Sequence, residues 1–152
     1  QKAVELGVSK IVPFFSNNVI VKLDEKDRIK RQAKLQKIAD EACKQCGRTD
    51  IVEVSSFVNF KDLEREFVTE DKVFFAYEAS KESLRVEIND AKEKDLKNIG
   101  IVIGAEGGFT PKEAEELKKI ENVVVIGLGE RILRAETAAL NLLSIVMYEM
   151  EE

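Results

Sequence analysis

Two glycine-bearing stretches, IGAEGGFTPKE (Ile103–Glu113) and IGLGERILRAETAA (Ile126–Ala139), concentrate the residues best able to do chemistry. Six of the eight glycines lie between Gly100 and Gly129. A glycine admits positive φ and has no Cβ, so a ligand can meet backbone N–H and C=O groups directly. Gly104, Gly107 and Gly108 follow one β-rich run, and Gly127-Leu128-Gly129 follows the next. In a parallel sheet, successive strands deliver such loops to one carboxyl edge, where ligands bind. The pocket so predicted offers amides, small residues and the apolar Leu128, Ile132 and Leu133. That suits a flat, mostly neutral heterocycle with a few polar handles, such as adenine. No lysine followed by serine or threonine closes a phosphate loop, and the G-x-G-x-x-G spacing is missing.

The elements that must carry these loops alternate. Ile11–Phe14, Ile51–Val54, Val73–Tyr77, Ile99–Ile103 and Val123–Ile126 are expected strands, several of them continuous apolar runs of the kind buried in parallel sheets. Helices are expected near Ile29–Cys46, Asn59–Phe67, Pro111–Ile120 and Ala135–Met150, with another around Ala91–Lys97. Thr110, Pro111 and Glu113 form a capping-box start. Lys81–Asn98 is the most polar connection and is expected on the surface. The pattern predicts an α/β fold, a mostly parallel sheet flanked by helices. The last helix is apolar around most of its circumference, with a polar stripe of Asn141, Ser144 and Tyr148. Burial on nearly all sides is therefore expected, and with it a subunit interface. The opening QKAVELG reads as the end of an element whose start lies upstream.

With 152 residues, 44% of them hydrophobic and 35% charged, the chain suits one domain with a real core. Its net charge is −5, but Lys22–Arg48 holds 9 basic and 5 acidic residues, a local +4 that leaves −9 for the rest. A basic helix on an acidic body could face phosphate, or be an ordinary solvated surface. The lone Cys43-x-x-Cys46 pair has no second pair and no histidine to complete a metal site, so no metal is expected. Both thiols are expected buried and reduced, which fits a cytoplasmic protein. The low-charge run Thr137–Tyr148 is too short to span a bilayer, so no membrane partner is expected.

Together these stretches resemble the SPOUT methyltransferases that modify uridine at ring nitrogen 3 in small-subunit (16S) ribosomal RNA, the RsmE type. The first is similar to that family's I-G-P-E-G-G-F-[ST]-x-x-E and the second to its L-G-x-R-I-L-R-x-E-T-A. QKAVELGVSKIVPF resembles Q-K-x-x-E-L-G-V-x-x-I-x-P, and Glu41-Ala42, Gln45 and Arg48 resemble E-A-x-x-Q-x-x-R. The likeness runs over essentially the whole chain. Two departures stand out: Ala105 replaces the usual proline, and Ser16-Asn17-Asn18 stands where Glu-Arg-Ser is usual.

The resemblance implies a SPOUT fold with a deep C-terminal trefoil knot, a homodimer, and S-adenosyl-L-methionine as cofactor. It also implies an N-terminal PUA-like barrel, absent from this chain, and a substrate in ribosomal RNA. The expected cofactor residues are Tyr77, Glu78, Ile103, Gly104, Gly107, Gly108, Gly127, Leu128, Gly129, Ile132 and Leu133, the last group walling the adenine. For the chemistry, Arg134 could hold the uracil oxygens, and Glu106 or Glu136 could take the ring proton; each could instead be structural. Arg48, Gln45, Lys30, Arg31 and Arg131 are the expected RNA contacts. Two other readings remain open: a catalytically idle RNA-binding or assembly module, and a SPOUT enzyme acting on transfer RNA.

Overall fold

The computed structural model describes residues 1–16 and 23–150, in two compact units. Asn17 and Asn18, where the sequence departs from the family pattern, lie outside the described residues.

The first unit spans most of residues 1–63. A short helix α1 (Lys2–Glu5) precedes strands β1 (Lys10–Ile11) and β2 (Phe14–Phe15). The single expected strand over Ile11–Phe14 is thus broken, because Pro13 cannot donate to a ladder. β1 pairs in parallel with β3 (Glu53–Val54), and β2 in parallel with β4 (Val58–Asn59). Helix α2 (Glu25–Cys46) starts four residues before the expected Ile29. Its first turn, Glu25 to Arg28, carries no apolar signal. The start is fixed instead by Asp24, whose carboxylate accepts the Asp27 N–H at 2.8 Å. Gly47, at φ +76°, ends it. Ala39, Ala42 and Cys43 form its buried face, packed with Val4, Val52 and Val54. Leu35 is exposed, and so is Cys46, contrary to the expectation of two buried thiols. Cys46 is the last helical residue, three positions past Cys43, and the core does not reach it. The segment Phe60–Phe67 winds as a 3₁₀ helix where an α-helix was expected.

The second unit spans most of residues 64–150 and is built on three parallel strands, β5 (Lys72–Ala76), β6 (Ile99–Val102) and β7 (Val123–Ile126). β5 is central, in the order β6-β5-β7, so the strands that follow it lie on opposite flanks. Its Phe74 faces a core shared with Ile88, Ile126, Leu142 and Val146. Phe75 faces the other way and meets Phe109 edge-on, with centroids 4.8 Å apart. A lysine in such a strand needs partners: the buried Lys72 ammonium reaches Glu87 at 2.9 Å and Asp90 at 2.6 Å. Burial alone would depress its pKa, but the hydrogen bonds to Asp90 and Glu87 outweigh this and hold it above the ordinary lysine value.

Those two acids sit on α3 (Leu84–Glu93), a helix inside the stretch expected to be a polar surface connection. The expected helix at Ala91–Lys97 was placed too late. The true signal is Leu84, Ile88 and Ala91, spaced to meet one face, and Asp95 at φ +53° follows its end. Helix α4 (Pro111–Lys118) has the expected capping box. Glu113 accepts the Thr110 N–H at 2.8 Å, and Thr110 Oγ1 accepts the Glu113 N–H at 3.1 Å. Helix α5 (Ala135–Met150) buries Leu142, Leu143 and Val146 but leaves Leu140, Ile145 and Met147 only half-buried. Its apolar circumference is therefore not wholly covered within this chain. No described helix is long and apolar enough to cross a membrane.

Candidate functional site

The carboxyl ends of β5, β6 and β7 face the same way because the three strands are parallel. The chain that leaves each end supplies one wall of a cavity of about 480 Å³. Tyr77 and Glu78 come from the end of β5, Ile103 to Glu106 with Gly108 and Phe109 from the end of β6, and Leu128 to Arg134 from the end of β7. The cavity belongs wholly to the second unit.

Each wall has a local cause. After β6 the chain reverses through a turn in which the Gly108 N–H donates to the Ala105 carbonyl at 2.8 Å, with Gly108 at φ +64°. A Cβ on Gly104 would lie 2.9 Å from the Phe109 ring, so the bare backbone there makes room for the aromatic that packs on Phe75. After β7 the Gly127 N–H donates to Glu82 at 3.0 Å, tying this loop to the one that follows β5. Gly129, at φ +101°, then redirects the chain toward α5. The Ala138 N–H donates to the Arg134 carbonyl at 2.8 Å, so Arg134 stands where the helix begins. The first turn of α5 therefore opens at the cavity, with the unpaired N–H groups that attract negative charge.

Of the expected cofactor residues, Tyr77, Glu78, Ile103, Gly104, Gly108, Leu128, Gly129, Ile132 and Leu133 line this cavity. Gly107 and Gly127 do not; Gly127 serves the loop-to-loop contact instead. Arg134, Glu136, Glu106 and Arg131 line it as well. Glu130 and Phe109 line it without having been singled out in the sequence. Glu130 could have been, since it stands between two glycine-loop residues and Arg131; Phe109 reads only as a core aromatic. All six charged side chains of the lining are exposed, and among the described residues none has an ion-pair or hydrogen-bond partner. Arg134 thus does not brace itself against Glu106 or Glu136. Ile132 is 85% exposed, an apolar side chain at the mouth with nothing over it.

Arg48, Gln45, Lys30 and Arg31 lie in the first unit. Gln45, Lys30 and Arg31 are exposed on α2. Arg48 is engaged: its Nη1 donates to the carbonyls of Val4 at 2.9 Å and Val8 at 2.8 Å, while Nε and Nη2 hold Asp50. The hydrogen bond to Asp50 raises the guanidinium pKa, and Arg48 in turn lowers that of Asp50. These contacts make Arg48 a brace for the end of α1.

Residues 1–147 match the model of the RNA methyltransferase domain family. The chain is 37% identical over 154 residues to ribosomal RNA small subunit methyltransferase E of Bacillus subtilis, covering 99% of this chain and 60% of that protein. It is 35% identical over 144 residues to the protein of the same name from Mesomycoplasma hyopneumoniae, covering 95% and 60%. Among solved structures, that of ribosomal RNA small subunit methyltransferase E from Neisseria gonorrhoeae bound to S-adenosyl methionine is similar with a TM-score of 0.80. It is 28% identical, with 97% of this chain and 57% of that one covered. A Legionella pneumophila protein solved with the same cofactor bound gives a TM-score of 0.84 at 30% identity, covering 97% and 58%. The chain therefore spans about three fifths of the length of these relatives. By the match over nearly its whole length, it belongs to the RNA methyltransferase domain family.

Proposed function

We propose that this domain transfers a methyl group from S-adenosyl-L-methionine to N3 of a uridine in small-subunit ribosomal RNA. One observation carries the reading: a cavity of about 480 Å³ at the carboxyl rim of three parallel strands, walled by glycine-relieved backbone, with an uncovered Ile132 at its mouth. That volume is in the range of small-molecule sites. Leu128, Ile132 and Leu133 provide the apolar surface an adenine ring would cover. Glu78, Glu106, Glu130 and Glu136 surround it with negative charge, which favours a ligand carrying a sulfonium and an ammonium.

The cofactor, when bound, supplies the electrophilic methyl group. The chain's residues must then make the uracil a nucleophile. N3 is protonated at neutral pH, so its proton must leave before its electron pair can attack. Of the four lining glutamates, Glu136 or Glu106 is proposed to accept it. Negative charge then spreads onto the two flanking oxygens. Arg134, an exposed cation at the start of α5, and the N–H groups of that helix's first turn would stabilise it. As the N–C bond forms the C–S bond breaks, leaving a neutral thioether. The loops contribute position and exclusion of water.

The trefoil knot and the homodimer belong to the same proposal. The half-buried Leu140 and Met147 of α5 lie within about 20° of one another on the helix and leave apolar surface for a second copy to cover. The cytoplasm is the proposed compartment, where ribosomal RNA is the substrate and Cys43 and Cys46 stay reduced.

Calorimetric titration with S-adenosyl-L-methionine tests the cofactor, and mass spectrometry of ribosomal RNA from cells lacking the gene tests the substrate. Micromolar binding and the loss of one methylated uridine are expected. No binding at millimolar cofactor would favour an idle RNA-binding module. An unchanged ribosomal RNA with an altered transfer RNA would move the enzyme to the other substrate.

A further inference from the structure

Helix α2 presents an unusual surface. At 3.6 residues per turn, Lys26, Lys30, Lys34, Lys37 and Lys44 fall within about 80° of arc. The buried Ala39, Ala42 and Cys43 lie on the opposite side. All five lysines are exposed. Among the described residues none of the five has an ion-pair partner, although Asp40 and Glu41 are on the same helix. Asp40 instead accepts the side-chain amide of Gln36 at 2.8 Å. In the second unit, by contrast, five of the eight lysines, Lys72, Lys92, Lys94, Lys97 and Lys118, are ion-paired. The stripe runs roughly 27 Å from Lys26 to Lys44 at about 1.5 Å per residue. Glu41 is the one acid within it, so it carries a net charge of about +4 on a chain of net −5.

We propose that this stripe docks the sugar–phosphate backbone of the RNA substrate, an inference that rests on the reading of the domain as an RNA methyltransferase. No aromatic or aliphatic residue interrupts the lysines. A protein partner would want such residues, since lysine is depleted from the cores of protein interfaces. Phosphate needs only a row of positive charge, and each lysine that neutralises a phosphate releases a counterion. The stripe positions RNA without reading its bases.

The test uses the whole chain and a small-subunit ribosomal RNA fragment, with binding measured over a series of salt concentrations. Replacing Lys30→Gln, Lys34→Gln and Lys37→Gln together should make the slope of log affinity against log salt shallower by about 2–3. Affinity for S-adenosyl-L-methionine and melting temperature should not change. Replacing the ion-paired Lys94→Gln and Lys97→Gln should leave the slope as it was. An unchanged slope in the triple variant overturns the docking surface while the methyltransferase reading stands. An equal loss in the Lys94 and Lys97 variant also overturns it, by showing that bulk charge alone matters. Equal binding of poly-glutamate, lost in the same triple variant, would assign the stripe to an acidic polypeptide instead. Failure of the unaltered chain to bind RNA at any salt would overturn both the stripe and the substrate, while cofactor titration would still report on the cofactor site.

Discussion

A Cβ added to Gly127 would sit 2.3 Å from the carbonyl oxygen of Ser80. Two backbone segments meet there without a side chain between them, and the Ser83–Gly127 bridge continues the contact. The contact fixes the loop after β7 against the loop after β5, and both line the cavity. Gly127→Ala must push them apart, since backbone cannot yield as a flexible side chain can. A loss of about 1–3 kcal/mol in stability is expected, read by urea denaturation, together with weakened cofactor binding. Unchanged stability would mean the loops are not held in contact in solution.

Gly129 is a different case. A Cβ there meets nothing within 4 Å, so the position is open, but its φ of +101° strains any other residue. Gly129→Ala should destabilise by about 1–2 kcal/mol through the backbone alone. Gly129→Val should cost more in cofactor affinity than in stability, because the branch would intrude on a bound ligand. Calorimetry on both variants, beside their melting temperatures, separates strain from collision. Wild-type affinity in the valine variant would place the ligand away from this turn.

Arg48 was an expected RNA contact, yet its guanidinium bridges Asp50 to the carbonyls of Val4 and Val8. Arg48→Ala should destabilise the first unit by about 2 kcal/mol, a typical value for charge-assisted hydrogen bonds whose loss leaves partly buried acceptors behind. Arg48→Lys should recover little, since a single ammonium cannot reproduce the fork. Thermal denaturation checks both. A stable Arg48→Ala variant with impaired RNA binding would restore the nucleic-acid role.

How much of this was legible in the sequence follows from what each feature depends on. The glycine loops and the capping box of α4 are local devices, and Thr110, Pro111 and Glu113 announce themselves within four positions. The parallel strands β5 to β7 were legible as continuous apolar runs, apart from Lys72. That lysine was hidden because its partners, Glu87 and Asp90, lie on α3. α3 itself was placed too late because its polar faces outweigh Leu84, Ile88 and Ala91 in a linear reading. The breaking of the first strand at Pro13 and the pairing of β4 depend on which strands meet, which spacing does not reveal. In the two glycine loops, Gly104 and Gly127 look like ligand glycines in sequence. Only the packing of Phe109 and the backbone of Ser80 shows what each makes room for.

Asp71 makes the stability depend on pH. Its Oδ2 accepts the N–H groups of Asn98 at 2.8 Å and Lys97 at 2.9 Å, just ahead of β6. The backbone N–H of Asn98, then that of Lys97, lowers its pKa below the ordinary aspartate value. A carboxylate depressed by folding stabilises the native state above its unfolded pKa of about 3.9. That contribution is lost as pH falls through the lower folded value. Melting temperature should therefore drop on acidification below about pH 4. In Asp71→Asn it should start lower and fall less over that interval. An identical pH profile in the variant would show that the carboxylate does not hold the start of β6.

Arg134 is the most exposed test of the proposed chemistry. It lines the cavity at the first turn of α5, is exposed, and among the described residues has no partner for its side chain. A structural cation would be paired, so removing this one should leave the fold intact. If it stabilises charge on the uracil oxygens as the N3 proton leaves, Arg134→Gln should lower kcat by about 10²–10³. Melting temperature and cofactor affinity should stay near those of the unaltered chain. Arg134→Lys should recover part of the rate, because a point charge supplies the field but not the two-pronged geometry. Glu136→Gln and Glu106→Gln then distinguish the proton acceptor: the variant whose rate no longer rises with pH has lost the base. Full activity in Arg134→Gln would remove the cation from the mechanism and leave the helix N–H groups as the remaining source of anion stabilisation.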